Sequence, residues 1–220
     1  MSRRRTRLVA IATAAFALGA CAGPASPAKP TTTWQTATAG VEATSGQAVE
    51  RWFPLRHGTL YQYRTESLGD RPDQGLTTFR VARSSASEGE LRKPSGVQRF
   101  TFASDGIRTT TRSGVEGFVL PWPLDPAARW RGPHDGTARL AAVDVHVTVP
   151  AGAFTGCVST VEERGGDRPL RVATTLCPDV GIVALEASSG GELERASLVH
   201  YGEPVELGAD GVTRTPATAP

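Results

Sequence analysis

Long apolar runs, blocks of like charge and clustered metal ligands are all missing from this 220-residue chain, and each gap removes a class of function. No apolar stretch reaches the roughly 18 residues a membrane-spanning helix needs. No basic stripe with interleaved aromatics is present, so nucleic acid is not an expected partner. Catalytic signatures are missing too: there is no Gly-x-Ser-x-Gly elbow, no His-Glu-x-x-His, no P-loop and no Gly-x-Gly-x-x-Gly after a strand. The four histidines, at 57, 134, 146 and 200, are scattered. His134-Asp135-Gly136 lies in a turn-like stretch, where capping is the commoner role. No catalytic, cofactor-binding or metal-ligating residue is therefore expected. Aromatics are only 6% and hydrophobic residues 39%, which is sparse for a chain that must line a ligand pocket as well as a core.

What is present begins with an address. Arg3, Arg4, Arg5 and Arg7 precede an Ala-rich apolar segment, 8–18, that is too short to span a bilayer. Leu18-Gly19-Ala20-Cys21 then offers small residues for a peptidase pocket and one thiol placed to take a diacylglyceryl group. This ending resembles the lipobox of bacterial lipoproteins, a resemblance that covers the first 21 residues. It implies cleavage before Cys21, acyl chains on the new N-terminus, and a protein outside the cytoplasm held by lipid to the cell membrane or outer membrane. In a Gram-negative cell, Ala22 rather than Asp implies outer-membrane sorting. Each buried methylene contributes about 0.8 kcal/mol, so two or three chains anchor stably where one does not. The alternative is an ordinary secretory signal with a chance cysteine.

Removing that segment changes the charge. The whole chain has 24 Lys+Arg against 22 Asp+Glu; four arginines and no acids lie in residues 1–20, leaving 20 cations against 22 acids. The apparent basicity belongs to the targeting segment. Of three cysteines, Cys157 and Cys177 remain once Cys21 is acylated. An even pair in an exported chain predicts a disulfide, with two buried thiols as the alternative. No further ligands flank them at metal-site spacing.

Residues 21–47 are Ala, Thr, Pro, Ser and Gly with Trp34 nearly alone among large apolar side chains. Such a segment cannot bury enough surface to order itself and predicts a disordered tether reaching about 25–30 Å. A tail at 209–220 repeats this composition, leaving 48–208 as one β domain. A helical turn is expected near its start, ended by Pro54. Short runs rich in β-branched and aromatic residues follow at 60–64, 76–81, 97–102, 107–111, 115–120, 137–149, 156–163, 170–176, 182–186 and 192–201. Turn signals such as Gly69-Asp70-Arg71-Pro72, Pro94-Ser95-Gly96 and Ser104-Asp105-Gly106 separate them. The pattern predicts an all-β antiparallel meander of about ten strands: a strongly curled sheet, a half-barrel or a sandwich.

Val143-Asp144-Val145-His146-Val147-Thr148-Val149 alternates most clearly, with valines on one face and Asp144, His146 and Thr148 on the other. Asp144 and His146 are candidates to begin a metal or acid/base site, but with no third ligand or nucleophile tied to them a solvated pair is the expectation. Pro54-Leu55 leads to Tyr61 and Pro123-Leu124 to Trp130 with the same seven-residue step, an echo consistent with two similar halves whose aromatics plug the sheet.

Three longer phrases carry a second resemblance: 52–63, beginning Trp52-Phe53-Pro54-Leu55; 149–158, beginning Val149-Pro150-Ala151-Gly152; and 177–183, beginning Cys177-Pro178-Asp179-Val180-Gly181. They resemble a group of bacterial exported β proteins with "FPLxxG", "VPAGxFxxC" and "PGVG" phrases, except that Tyr61 stands where Trp is usual and Asp179 where Gly is usual. Some members look related in shape to the half-barrel lipoprotein carriers of the envelope, and no catalytic residues transfer. Read physically, Gly152 ends the valine strand with positive φ and Phe154 folds back as a core plug. Composition and address together predict a membrane-anchored envelope protein acting first as an interaction or structural module docking on an envelope partner. The other reading is a carrier of a lipid or other apolar ligand in a curled-sheet cavity.

Overall fold

The computed structural model describes residues 47–68, 73–203, 206–207 and 213–214. The signal segment 1–20, Cys21, Trp34, the tether up to 46 and the turn 69–72 lie outside the described residues. So does the tail 209–220, apart from Thr213–Arg214, which pairs with Glu206–Leu207 as a two-stranded ribbon.

Twelve antiparallel strands form one sheet. The first six are β1 (Leu60–Ser67), β2 (Asp73–Arg83), β3 (Glu88–Lys93), β4 (Gly96–Ala103), β5 (Gly106–Thr110) and β6 (Glu116–Pro121). The second six are β7 (Arg129–Arg131), β8 (Thr137–Val149), β9 (Gly152–Arg164), β10 (Leu170–Cys177), β11 (Gly181–Ser189) and β12 (Glu192–Gly202). The order β6-β5-β4-β3-β2-β1-β12-β11-β10-β9-β8-β7 is two six-stranded meanders joined where β1 pairs with β12. The main sheet is single, so the curled sheet holds and the sandwich does not. The count rises from ten to twelve because β3 and β7 hide their pattern. In β3 the buried positions are Gly89 and Leu91, and the other four residues are all charged. A Cβ at Gly89 would stand 2.9 Å from Leu55 Cδ1, so the packing itself removes the apolar residue that alternation needs. β7 is only three residues long, with Arg on both sides of Trp130.

Tyr61 and Trp130 each occupy the second position of the first strand in a six-stranded half. Their roles differ, since β7 pairs only with the start of β8. Only Tyr61 plugs an end.

Curling comes from bulges, which bend and overtwist the strand that carries them. Register shifts fall at Gln62/Tyr63, Ile107/Arg108 and Thr175/Leu176, and three more lie along β8 and β9. Asp144 takes φ 53° in one of these and Gly156 φ 66° in the facing strand. The valine alternation therefore holds for Val145, Val147 and Val149, which are buried, while Val143 beside the bulge is only half-buried. Gly152 has φ 141° at the hairpin turn. Phe154 is not a central plug: it is half-buried at the edge of the core, with its ring 6.1 Å from that of Tyr201.

One end of the curl is sealed by the chain entering it. Helix α1 (Gln47–Glu50) makes a single turn, and Val49, Phe53 and Leu55 are each 1% exposed. Burying each such side chain contributes about 2 kcal/mol. Phe53 meets Phe100 edge to face with centroids 4.9 Å apart. The turn after Cys177 grips this plug: Asp179 N–H donates to Arg51 O at 2.7 Å, Arg51 Nε donates to Asp179 Oδ2 at 3.1 Å, and the Tyr61 hydroxyl donates to Val180 O at 2.9 Å. Arg83 adds an ion pair to Glu50 at 2.9 Å. Asp179 adopts the left-handed φ of 63°, a conformation Asp tolerates better than most residues.

Cys157 and Cys177 are joined as a disulfide across β9 and β10, with Cα atoms 4.2 Å apart and at most 1% exposure at either residue. The 20-residue separation corresponds to a chain-entropy stabilisation of about 3 kcal/mol. Replacing both cysteines by alanine is expected to lower the melting temperature by several degrees. A melting curve superimposable on that of the parent protein would refute this.

Candidate functional site

The strands run alternately toward and away from the plug, so the connections after β1, β3, β5, β7, β9 and β11 gather at the opposite end. That end has no equivalent of the Val49–Leu55 seal among the described residues. Between plug and rim the sheet leaves a cavity of about 310 Å³. Its deep wall is apolar and buried, with Tyr63, Leu91, Phe100 and Val119; toward the rim it passes to exposed Lys93 and Gln98, so it opens to the surface. Register explains the lining. Tyr61 pairs with Phe79, Tyr63 with Thr77 and Leu91 with Gln98, and cross-strand partners share a face. Tyr63 donates from its hydroxyl to Ile182 O at 2.8 Å, and burial pushes its phenol far above the usual range. It is therefore a fixed neutral wall and not an acid.

The sheet does not close by hydrogen bonding, because β6 and β7 end the strand order without pairing. Side chains close the seam instead. Glu162 of β9, buried at 5% exposure, accepts from His134 N–H at 2.8 Å and Gly136 N–H at 2.7 Å on Oε1, and from the His134 ring Nδ1 at 2.8 Å on Oε2. An ionised carboxylate only accepts, so Nδ1 carries the proton. Burial pushes this carboxyl up, yet the bonds from His134 and Gly136 outweigh it and hold it below the usual carboxylate range. Gly132 lies so close over the carboxylate that a Cβ there would collide with it, and one at Gly117 of β6 would collide with Gly132 O. The two edges thus meet backbone to backbone through glycines. Asp135 fastens the outer side: it accepts from Ser113 Oγ at 2.6 Å and from Arg131 at 2.8 Å. Those bonds, Ser113's first, hold its carboxyl well below the ordinary range.

The sequence-derived candidates do not come together here. Asp144 and His146 are both exposed on β8, and no group of three metal-ligating side chains occurs among the described residues. His57 accepts from Arg83 N–H at 3.2 Å, and His200 Nε2 contacts Glu203 O at 3.1 Å; both are local contacts. Cys157 and Cys177 are spent in the disulfide, and Cys21 lies outside the described residues. Sequence reasoning missed Glu162 and Lys93. Glu162 had a signal, since Val158, Thr160 and Glu162 follow one another at period two on one face of a buried strand. Lys93 looked like an ordinary hairpin cation beside Pro94-Ser95-Gly96.

No protein-family profile matches the chain, and no curated protein matches it. Among solved structures, one from Parabacteroides distasonis ATCC 8503 named a lipoprotein is 13% identical, covering 69% of this chain and 98% of that one with a TM-score of 0.46. One from Bacteroides fragilis NCTC 9343, named an exported protein with a YmcC-like fold, is 12% identical over 67% of this chain and 97% of that one, at 0.44. At these scores the likeness carries no statement about this chain.

Because Glu162 ionises more readily folded than unfolded, its contribution to stability is complete above the unfolded carboxyl value of about 4.3 and fades as pH falls through the lower folded value. Glu162→Gln is expected to cost about 2 kcal/mol at pH 7, the worth of hydrogen bonds to a charge, and to flatten the loss of stability on acidification. Denaturant melts at pH 7 and pH 3.5 read both. Parallel curves for parent and variant at the two pH values would count against this role.

Proposed function

We propose that this protein is an exported lipoprotein of the bacterial envelope, anchored through acylated Cys21, that carries a small apolar ligand inside its curled sheet. The observation carrying this reading is the cavity. Its volume of about 310 Å³ lies at the lower end of the roughly 300–1,000 Å³ typical of small-molecule sites. A single short acyl chain or a compact apolar molecule fits such a space, and a whole phospholipid does not.

Composition alone favours a docking module, since aromatics are few. Their placement reverses that preference. The chain has 7 Phe, 4 Trp and 3 Tyr, and five of these, Tyr63, Phe79, Phe100, Phe118 and Trp130, line the cavity. A sparse supply concentrated on one hollow supports binding there over generalised packing.

The envelope address rests on the 1–21 segment and accords with a buried disulfide, which persists in oxidising compartments. The start of α1 and the end of β12 both lie at the plugged end. The mouth therefore faces away from where the tether joins, and a ligand is taken up or released at the end opposite the anchor. Leu68, Val97 and Val115, three of the exposed large apolar side chains, sit at the hairpin tips of the first half, around that mouth.

Two measurements test the proposal. Ala196 lines the cavity, so Ala196→Phe is expected to fill it and abolish the fluorescence enhancement of N-phenyl-1-naphthylamine seen with the parent chain, while far-UV circular dichroism stays unchanged. Absence of enhancement with the parent removes the carrier reading. Metabolic labelling with radioactive palmitate in a bacterial host is expected to mark the parent and not Cys21→Ala; an unlabelled parent chain with residues 1–20 retained removes the lipoprotein reading.

A further inference from the structure

We infer that the cavity takes a medium-chain amphiphile with an anionic head, its tail lying inward and its head held by Lys93 at the mouth. The inference rests on the carrier reading and adds the chemical class and orientation of the ligand. Along one inward-facing row, β3 and β4 place Leu91 opposite Gln98, with Phe100 deeper and Lys93 at the rim. This row changes from apolar to cationic over one hairpin. Lys93 Nζ stands 5.6 Å from the centre of the Phe79 ring, itself part of the cavity wall, so the ammonium hangs over the opening. No carboxylate among the described residues lies within 4 Å of it; the salt bridges nearby are Arg92 and Arg99 with Glu90. Glu162 is the one carboxylate in the lining, and its oxygens are taken up by His134 and Gly136. A cationic ligand thus finds no open carboxylate, and an anionic head finds an ammonium without a partner among the described residues. At about 30 Å³ per water-sized group, the 310 Å³ of the cavity holds roughly ten such groups, which sets the tail length.

The test is calorimetric titration of the full chain bearing Cys21→Ala, which removes competing acyl chains and leaves the β domain untouched. Decanoate, 1-decanol and decyltrimethylammonium share one tail and differ in head. Decanoate is expected to bind about fivefold more tightly than decanol, the scale of a partly exposed ion pair, with the trimethylammonium compound weakest. Lys93→Gln is expected to bring decanoate to the level of decanol without altering decanol, and Lys93→Arg to keep the preference. Equal binding of decanoate and decanol by the parent, or a preference that survives Lys93→Gln, overturns the head-group assignment while decanol binding leaves the carrier reading standing. Failure of all three to bind overturns both.

Discussion

A curled sheet becomes a container only when one of its ends is shut, and here that is done by the residues that lead into β1. Val49, Phe53 and Leu55 fill the opening, and the 178–181 turn holds them through the Asp179 and Tyr61 hydrogen bonds. Burial drives the segment into place, and hydrogen bonds fix its position. Gly181 completes the fit with φ 104°, where a Cβ would come within 3.0 Å of Phe53. Core packing and cavity are one construction: the plug consumes the apolar surface at one end, and part of the remaining inner face lines the cavity.

The seam between β6 and β7 is solved differently. A closed barrel would satisfy both edges by pairing them; here β6 and β7 stay unpaired, and Gly117 and Gly132 meet backbone to backbone across the seam. A buried carboxylate takes over. Burying an ionised Glu is costly unless its oxygens are fully bonded, and the amides of His134 and Gly136 with the His134 ring meet that demand. The polar interior of the seam thus organises the β7–β8 turn and positions Trp130 and Pro133 along the cavity.

Much of this was readable from particular residues. Alternation in 143–149 and the β-branched runs specify antiparallel strands, because a period of two makes one face wet and the other dry. Pro54, Gly152 and the 178–181 phrase mark turns through their backbone restrictions. The seven-residue echo marks the first strand of each meander, yet Trp130 does not plug an end as Tyr61 does, because the three-residue β7 pairs only with the start of β8, away from the plug where β1 begins. β3 escaped notice because close packing on Leu55 requires Gly89, and a glycine leaves no hydrophobic signal.

Local periodicity and cysteine parity were enough to specify the class of fold and the pairing partners open to the cysteines, and a contiguous signal was enough to raise the expectation of an envelope address, since none of these depends on residues distant in the chain. Three features needed the folded chain: that twelve strands curl around a hollow, that the oxygens of Glu162 are satisfied by a turn almost thirty residues earlier, and that Lys93 overhangs an aromatic ring. A cavity is a property of facing surfaces, and strands far apart in the chain face each other only after register, bulges and the plug have set the curvature.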